Sequence, residues 1–115
     1  MAILDDGLDA IRDLVDAGLY SVVYGTSGDA IVFTDTALGG EVSAVEDTTF
    51  TSITSDKKIQ ITSTMNSVSG NGNIFKESGL TLDSGATLLS RSLNAPISKN
   101  NTIEMVRISD INFSR

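Results

Sequence analysis

The sequence predicts a mainly β protein, an antiparallel β-sandwich or open barrel with one N-terminal α-helix. Three observations carry that expectation. Only one segment, near the start, repeats its apolar residues at helical spacing. Beyond it the chain divides into roughly six to seven short runs that are rich in Val, Ile and Thr or that alternate, with Gly, Asn, Asp and Ser between them. The chain has 115 residues, enough for one core and not for two. The expected organisation is a single domain over 1–115, with a helix over 2–18 and a β-rich body over 19–115 that contains a glycine-rich loop near 25–40.

The helix is read from "ILDDGLDAIRDLVDAGL", where Leu4, Leu8, Ile11 and Val15 recur at spacings of four, three and four and Leu14 widens the stripe. Asp5, Asp6 and Asp9 fall in or near the first turn, where carboxylates favour the positive end of the helix dipole and an aspartate can cap. Gly18 is placed as the stop. The stripe reads as a packing surface, because a helix lying on a membrane would carry Lys or Arg on its polar face.

"LYSVVY" then reads as a strand ending at Gly25. "YGTSGDAIVFTDTALGGE" follows, with "DAIVF" strand-like inside it. "EVSAVEDTTFTSITS" holds two short strands or one bent one. In "KKIQITSTMNSV", Ile59, Ile61, Ser63 and Met65 face one way and Lys58, Gln60, Thr62 and Thr64 the other, the period of a half-buried antiparallel strand. "SGNGN" turns the chain, and Asn71-Gly72 suits positive backbone angles. "IFKESGLTL" and "ATLLSRSL" flank "DSG" as a hairpin. After the lone proline, Pro96, and the turn "SKNN", a last strand spans "TIEMVRISDINF". Its alternation slips between Met105 and Val106, which predicts a bulge there.

Aromatic residues make up 5% of the chain and there is no Trp, so the core falls to Leu, Ile, Val and Ala, with Phe33, Phe50, Phe75 and Phe113 as its bulkiest pieces. Each large side chain that is fully buried contributes roughly 1.5–3 kcal/mol. A core of this kind gains from packing against copies of the same chain. The net charge of −7 argues against nucleic acid, because the eight basic residues form no patch. The longest apolar runs fall far short of a membrane span, and the start of the chain is acidic where a signal peptide is basic. A soluble protein made inside a cell is expected, with no membrane partner.

The glycine loop poses a chemical question, since four glycines with Ser and Thr among them resemble a phosphate cradle. The context opposes it: the loop holds no lysine, and a strand-like run follows Gly28 where a phosphate loop enters a helix. With no His and no Cys, the usual general base, thiol nucleophile and zinc ligands are missing. Lys57, Lys58, Lys76 and Lys99 are placed in or beside polar turns or on exposed strand faces, and Glu41, Glu46, Asp47 and Asp56 read as a solvated acidic face. "DDGLD" and "LDSGA" lack the spacing of a calcium-binding hand. No catalytic residue, metal or cofactor is expected, and the chain is not read as an enzyme.

Taken together, the pieces resemble small structural proteins of tailed viruses, and in particular the N-terminal region of phage tail-collar fibre proteins. The resemblance rests on Gly7-Leu8 with "DAIRDLV", then "YSVVYGTSGD", then "DTALGGEV" at Asp35–Val42. In the second half it rests on "IFKESGLTLDSGATLLSRSLNAPISK", where Glu77, Gly79, Leu80, Gly85, Leu88, Leu89, Arg91, Pro96 and Lys99 fall on the family's hairpin. The chain departs from that pattern in a shorter loop and in "SAVED", where an arginine is common. It also carries no long fibrous extension after Arg115, so a host-binding fibre tip is expected to be another protein, or this domain is the whole appendage.

The resemblance implies that Gly25, Gly28, Gly39 and Gly40 serve the backbone and that Leu38 anchors the loop on the sheet. It implies a virion protein, made in the host cytoplasm, that self-assembles at the tail (collar, baseplate or fibre base). Its partners would be copies of itself and other virion structural proteins. Leu4, Leu8, Ile11, Val15 and Leu38 are the candidate packing and oligomer-interface residues. A capsid decoration or turret protein at the vertices is the rival reading. A host-surface carbohydrate-binding module is a third, with Tyr20 and Tyr24 as its only candidates for sugar stacking.

Overall fold

A computed structural model describes residues 1–42 and 49–113. Helix α1 spans Asp5–Gly18, and six strands follow: β1 Leu19–Gly25, β2 Thr49–Ser55, β3 Lys58–Met65, β4 Ile74–Leu82, β5 Thr87–Ser98 and β6 Met105–Asn112. They form two antiparallel three-stranded sheets, β1-β4-β5 and β2-β3-β6. The sheets face one another as a sandwich with one N-terminal helix; they do not close into a barrel. The "SAVED" stretch, with Glu46 and Asp47, lies outside the described residues, so only its continuation as β2 is placed.

The alternation in β3 translates directly into the core. Ile59, Ile61, Ser63 and Met65 are all buried. From the other sheet Val22, Tyr24, Phe75 and Leu80 meet them. The Tyr24 and Phe75 rings lie edge to face, 5.9 Å between centroids. The Tyr24 and Ser63 hydroxyls share a 2.7 Å hydrogen bond, so the polar atoms that this alternation buries are satisfied across the sandwich. Phe50 and Phe113 pack at the margin of this cluster. Phe33 was expected in the core and is instead fully exposed.

Helix α1 crosses the end of the β2–β3 hairpin. Arg12 donates to the Ser55 carbonyl at 2.6 Å, and the Lys57 N–H donates to Asp9 at 3.2 Å. The helix starts three residues later than the predicted 2–18. Leu4 is the extended N-cap residue and makes no side-chain cap bond, so none of the aspartates caps it. The helix does end at Gly18. Its apolar stripe is only half used. Leu8 is buried and Val15 packs against the core, whereas Leu4 is 72% exposed, Ile11 38% and Leu14 75%.

Three further expectations are corrected. "DAIVF" is not a strand: no neighbour offers it a ladder, and side chains take its backbone groups instead. The predicted bulge at Met105–Val106 is absent, because β6 pairs with β3 without interruption from Met65↔Met105 to Lys58↔Asn112. The apparent slip arises because Val106 and Ile108 are apolar yet lie on the solvent face of β6. The register shifts fall in the first sheet instead, one where β1 pairs with β4 and two where β5 pairs with β4. Finally, β5 continues through Pro96 to Ser98. Proline is tolerated there because β5 is an edge strand and Pro96 stands opposite the irregularity between Phe75 and Glu77.

The "DSG" turn between β4 and β5 holds Asp83, Ser84 and Gly85 all at positive φ. Lys99, placed by sequence in or beside a polar turn or on an exposed strand face, is 2% exposed. Its ammonium donates to Asn71 Oδ1 at 2.9 Å and to the Asn100 carbonyl at 3.1 Å, which ties the "SKNN" turn to "SGNGN".

Candidate functional site

Strand β4 is the centre of its sheet, so its alternate residues reach both faces. Val22, Tyr24, Ser78 and Leu80 share the face turned to the core; Gly25, Glu77, Gly79 and Arg91 share the opposite face. The chain between Gly25 and Glu41 folds over that second face. A bridge between Gly25 and Glu41 and the Thr26 N–H to Gly40 carbonyl bond, 2.9 Å, close its base. The loop is therefore compact, with its ends together.

Glu77 holds it in place. This residue is completely buried and yet charged. Its Oε2 accepts the N–H of Gly40 at 2.8 Å and of Ser27 at 2.9 Å, and its Oε1 accepts the N–H of Gly39 at 2.9 Å. Arg91, on β5, donates Nε–H to the same Oε1 at 2.9 Å. Burial alone would push the Glu77 carboxyl up; the three backbone donors and Arg91 outweigh it and hold the group below the ordinary range. The Arg91 side chain is 5% exposed. Besides Glu77 it reaches Asp35 Oδ2 at 3.2 Å, the Ala30 carbonyl at 3.3 Å and the Asp29 carbonyl at 3.0 Å. Its hydrogen bond to Glu77, opposed by desolvation and joined by the bond to Asp35, raises its pKa further. Asp35 in turn accepts the Val32 N–H at 3.0 Å.

Close approach explains Gly25 and Gly79, whereas Gly28 has ordinary space around it. A Cβ on Gly25 would stand 2.6 Å from a Glu77 oxygen, and one on Gly79 would stand 2.5 Å from the Ser90 carbonyl. Leu38, the expected anchor, is buried against Gly79. The loop does cradle an anion with its backbone N–H groups, and the anion is the chain's own carboxylate.

The clasp presents an apolar tip. Ile31, Val32 and Phe33 are 47%, 54% and 107% exposed, above a cavity of about 280 Å³ that Leu88, Leu89, Ser90 and Arg91 also line. Both Glu77 oxygens are occupied and Arg91 is shared among four acceptors, so this constellation fixes a shape and presents no free acid or base. Among the described residues, no group of three Asp, Glu, His or Cys side chains gathers as a metal cage.

The predicted interface residues do not form one site. Leu38 belongs to the clasp, while Leu4, Leu8, Ile11 and Val15 belong to the helix at the β2–β3 end. Sequence reasoning placed Glu77, Gly79 and Arg91 on one hairpin without giving them a role, and missed Asp29, Asp35 and the exposed tip. The available signal was a glutamate two residues before a glycine in the middle of a strand-like run, "IFKESGLTL". No family model, no curated protein and no solved structure matches the chain.

Proposed function

We propose that the chain is a structural component of a tailed-virus particle, self-assembling into a symmetric appendage at the tail as part of a collar, baseplate or fibre base. The observation that carries this reading is the clasp. Residues on which the tail-collar resemblance rests (Glu77, Gly79, Arg91 and the stretch Asp35–Val42) converge on one hydrogen-bonded device that presents an exposed apolar tip.

The shape of the chain supports self-assembly. Its radius of gyration is 15.1 Å, against about 13 Å for a compact chain of this size. Its accessible surface is 6832 Å², against about 6,000 Å² for a typical monomer of this mass. Uncovered apolar side chains lie on the helix (Leu4, Ile11, Leu14) and on the outer face of the second sheet (Ile53, Val106, Ile108). These two faces are the self-association surfaces, and the tip is the docking element for a neighbouring virion protein. The carbohydrate reading loses one of its two aromatics, because Tyr24 is buried and its hydroxyl is engaged.

An antibody against the chain, applied to intact particles under the electron microscope, tests the assignment. Label on the tail is expected. Label confined to the capsid vertices would replace the tail reading with the decoration or turret reading, and unlabelled particles would refute both.

A further inference from the structure

On the side of the first sheet away from the clasp, the sandwich opens between its two edge strands, β5 and β6. Arg107 stands in that opening, on the inward face of β6 opposite Ser63. Its Nε–H donates to the Ser109 hydroxyl at 2.9 Å and one terminal nitrogen donates to the Ser92 hydroxyl at 3.2 Å. Both partners are neutral. The other arginines among the described residues, Arg12 and Arg91, are each paired with two carboxylates. Among the described residues no carboxylate pairs with Arg107. Desolvation lowers its pKa, opposed only by the nearby Tyr24. A half-buried guanidinium with unused donors is an unmet demand for an anion.

The surroundings define which anion. Arg107 lines a cavity of about 280 Å³, with Tyr24, Ser78 and Asn94 on one side and Ile97 and Met105 supplying apolar wall. No second basic residue lines it, and the chain carries a net charge of −7, so a single negative charge is matched and a multiply charged group is repelled. We propose that this cleft binds a monocarboxylate with an aliphatic stem, the carboxylate taken by the guanidinium fork of Arg107 and the stem covered by Ile97 and Met105. A free aliphatic acid and a glutamate side chain on an extended segment lying along the open edges of β5 and β6 share this chemistry. The inference does not depend on the virion reading.

The test follows the arginine Nε–H signals of the 15N-labelled full chain by NMR, with only Arg12, Arg91, Arg107 and Arg115 to distinguish. The titrants are acetate, hexanoate, inorganic phosphate and a blocked peptide holding one Glu among Val and Thr. A saturable shift at Arg107 but not at Arg91 is expected, with hexanoate about tenfold tighter than acetate because its stem is buried. Arg107→Lys weakens hexanoate by about tenfold through loss of the fork, and Arg107→Gln abolishes it while the amide spectrum stays native. Tighter binding of the peptide than of hexanoate assigns the site to a protein segment, and the reverse assigns it to a free acid; both uphold the proposal. A shift at Arg107 no larger than at the surface-paired Arg12, phosphate binding tighter than acetate, or hexanoate binding that survives Arg107→Gln would each overturn it.

Discussion

Arg91, on the outer face of β5 in the first sheet, and Arg107, on the inward face of β6 in the second, are used by the protein in opposite ways. Arg91 faces a buried glutamate, an aspartate and two carbonyls, so its charge is spent inside the molecule. Arg107 faces two serine hydroxyls and, among the described residues, no carboxylate. The clasp converts ion pairing into shape, because every charged atom in it positions a backbone segment. The open cleft keeps a cation with no carboxylate partner among the described residues beside an apolar wall, which is a capacity for binding. Partial burial alone therefore does not distinguish a structural arginine from a recognition arginine; the identity of the acceptors does.

That contrast fails if the clasp is not structural, and the most severe way to break it is Glu77→Ala. Removing the carboxylate leaves three backbone N–H groups and Arg91 without their partner, and a loss of roughly 3–5 kcal/mol is expected in urea denaturation. Gly79→Ala comes next. Its new Cβ meets the fixed Ser90 carbonyl, and a loss of roughly 1–3 kcal/mol is expected.

Acid titration sharpens the comparison further. The folded-state pKa of Glu77 is lowered, so its contribution is complete above the unfolded value of about 4.5 and is lost as the pH falls through the folded value. Thermal midpoints of the parent and Glu77→Gln chains, measured from neutral to acid pH, should converge at low pH and separate above about 4.5. Curves that stay parallel would mean that the clasp does not depend on an ionised glutamate. The smallest effect belongs to the other arginine. Arg107→Leu removes a half-buried charge that pairs with no carboxylate among the described residues, and stability within about 0.5 kcal/mol of the parent, or slightly higher, is expected. A loss as large as that of Glu77→Ala would erase the distinction.

The strands whose side chains divide cleanly between core and solvent were legible in the sequence. Ile59, Ile61, Ser63 and Met65 alternate because one face of β3 meets the core, and all four are buried. The hairpin around "DSG" was legible because its turn residues tolerate positive φ. Three errors share one cause, which is that apolar residues were assigned to the interior. Phe33, Val106 and Ile108 are exposed, and this misplaced a core phenylalanine, suggested a bulge and turned "DAIVF" into a strand. The clasp was legible only as a set of residues on a resembling pattern. Its geometry joins Gly39 to Glu77 and Asp35 to Arg91 across long stretches of sequence, and no local periodicity encodes such a pairing. Arg107 left no signal, because its significance lies in what does not face it.

Self-association is the claim on which the functional reading depends, and the mass of the purified chain in solution, by light scattering after size exclusion, tests it most directly. A trimer or hexamer is predicted, one that Ile11→Asp disrupts without unfolding the subunit, since Ile11 is partly exposed whereas Leu8 is buried. A pentamer would contradict the tail placement in favour of a capsid vertex. A monomer at the highest soluble concentration would contradict self-assembly itself.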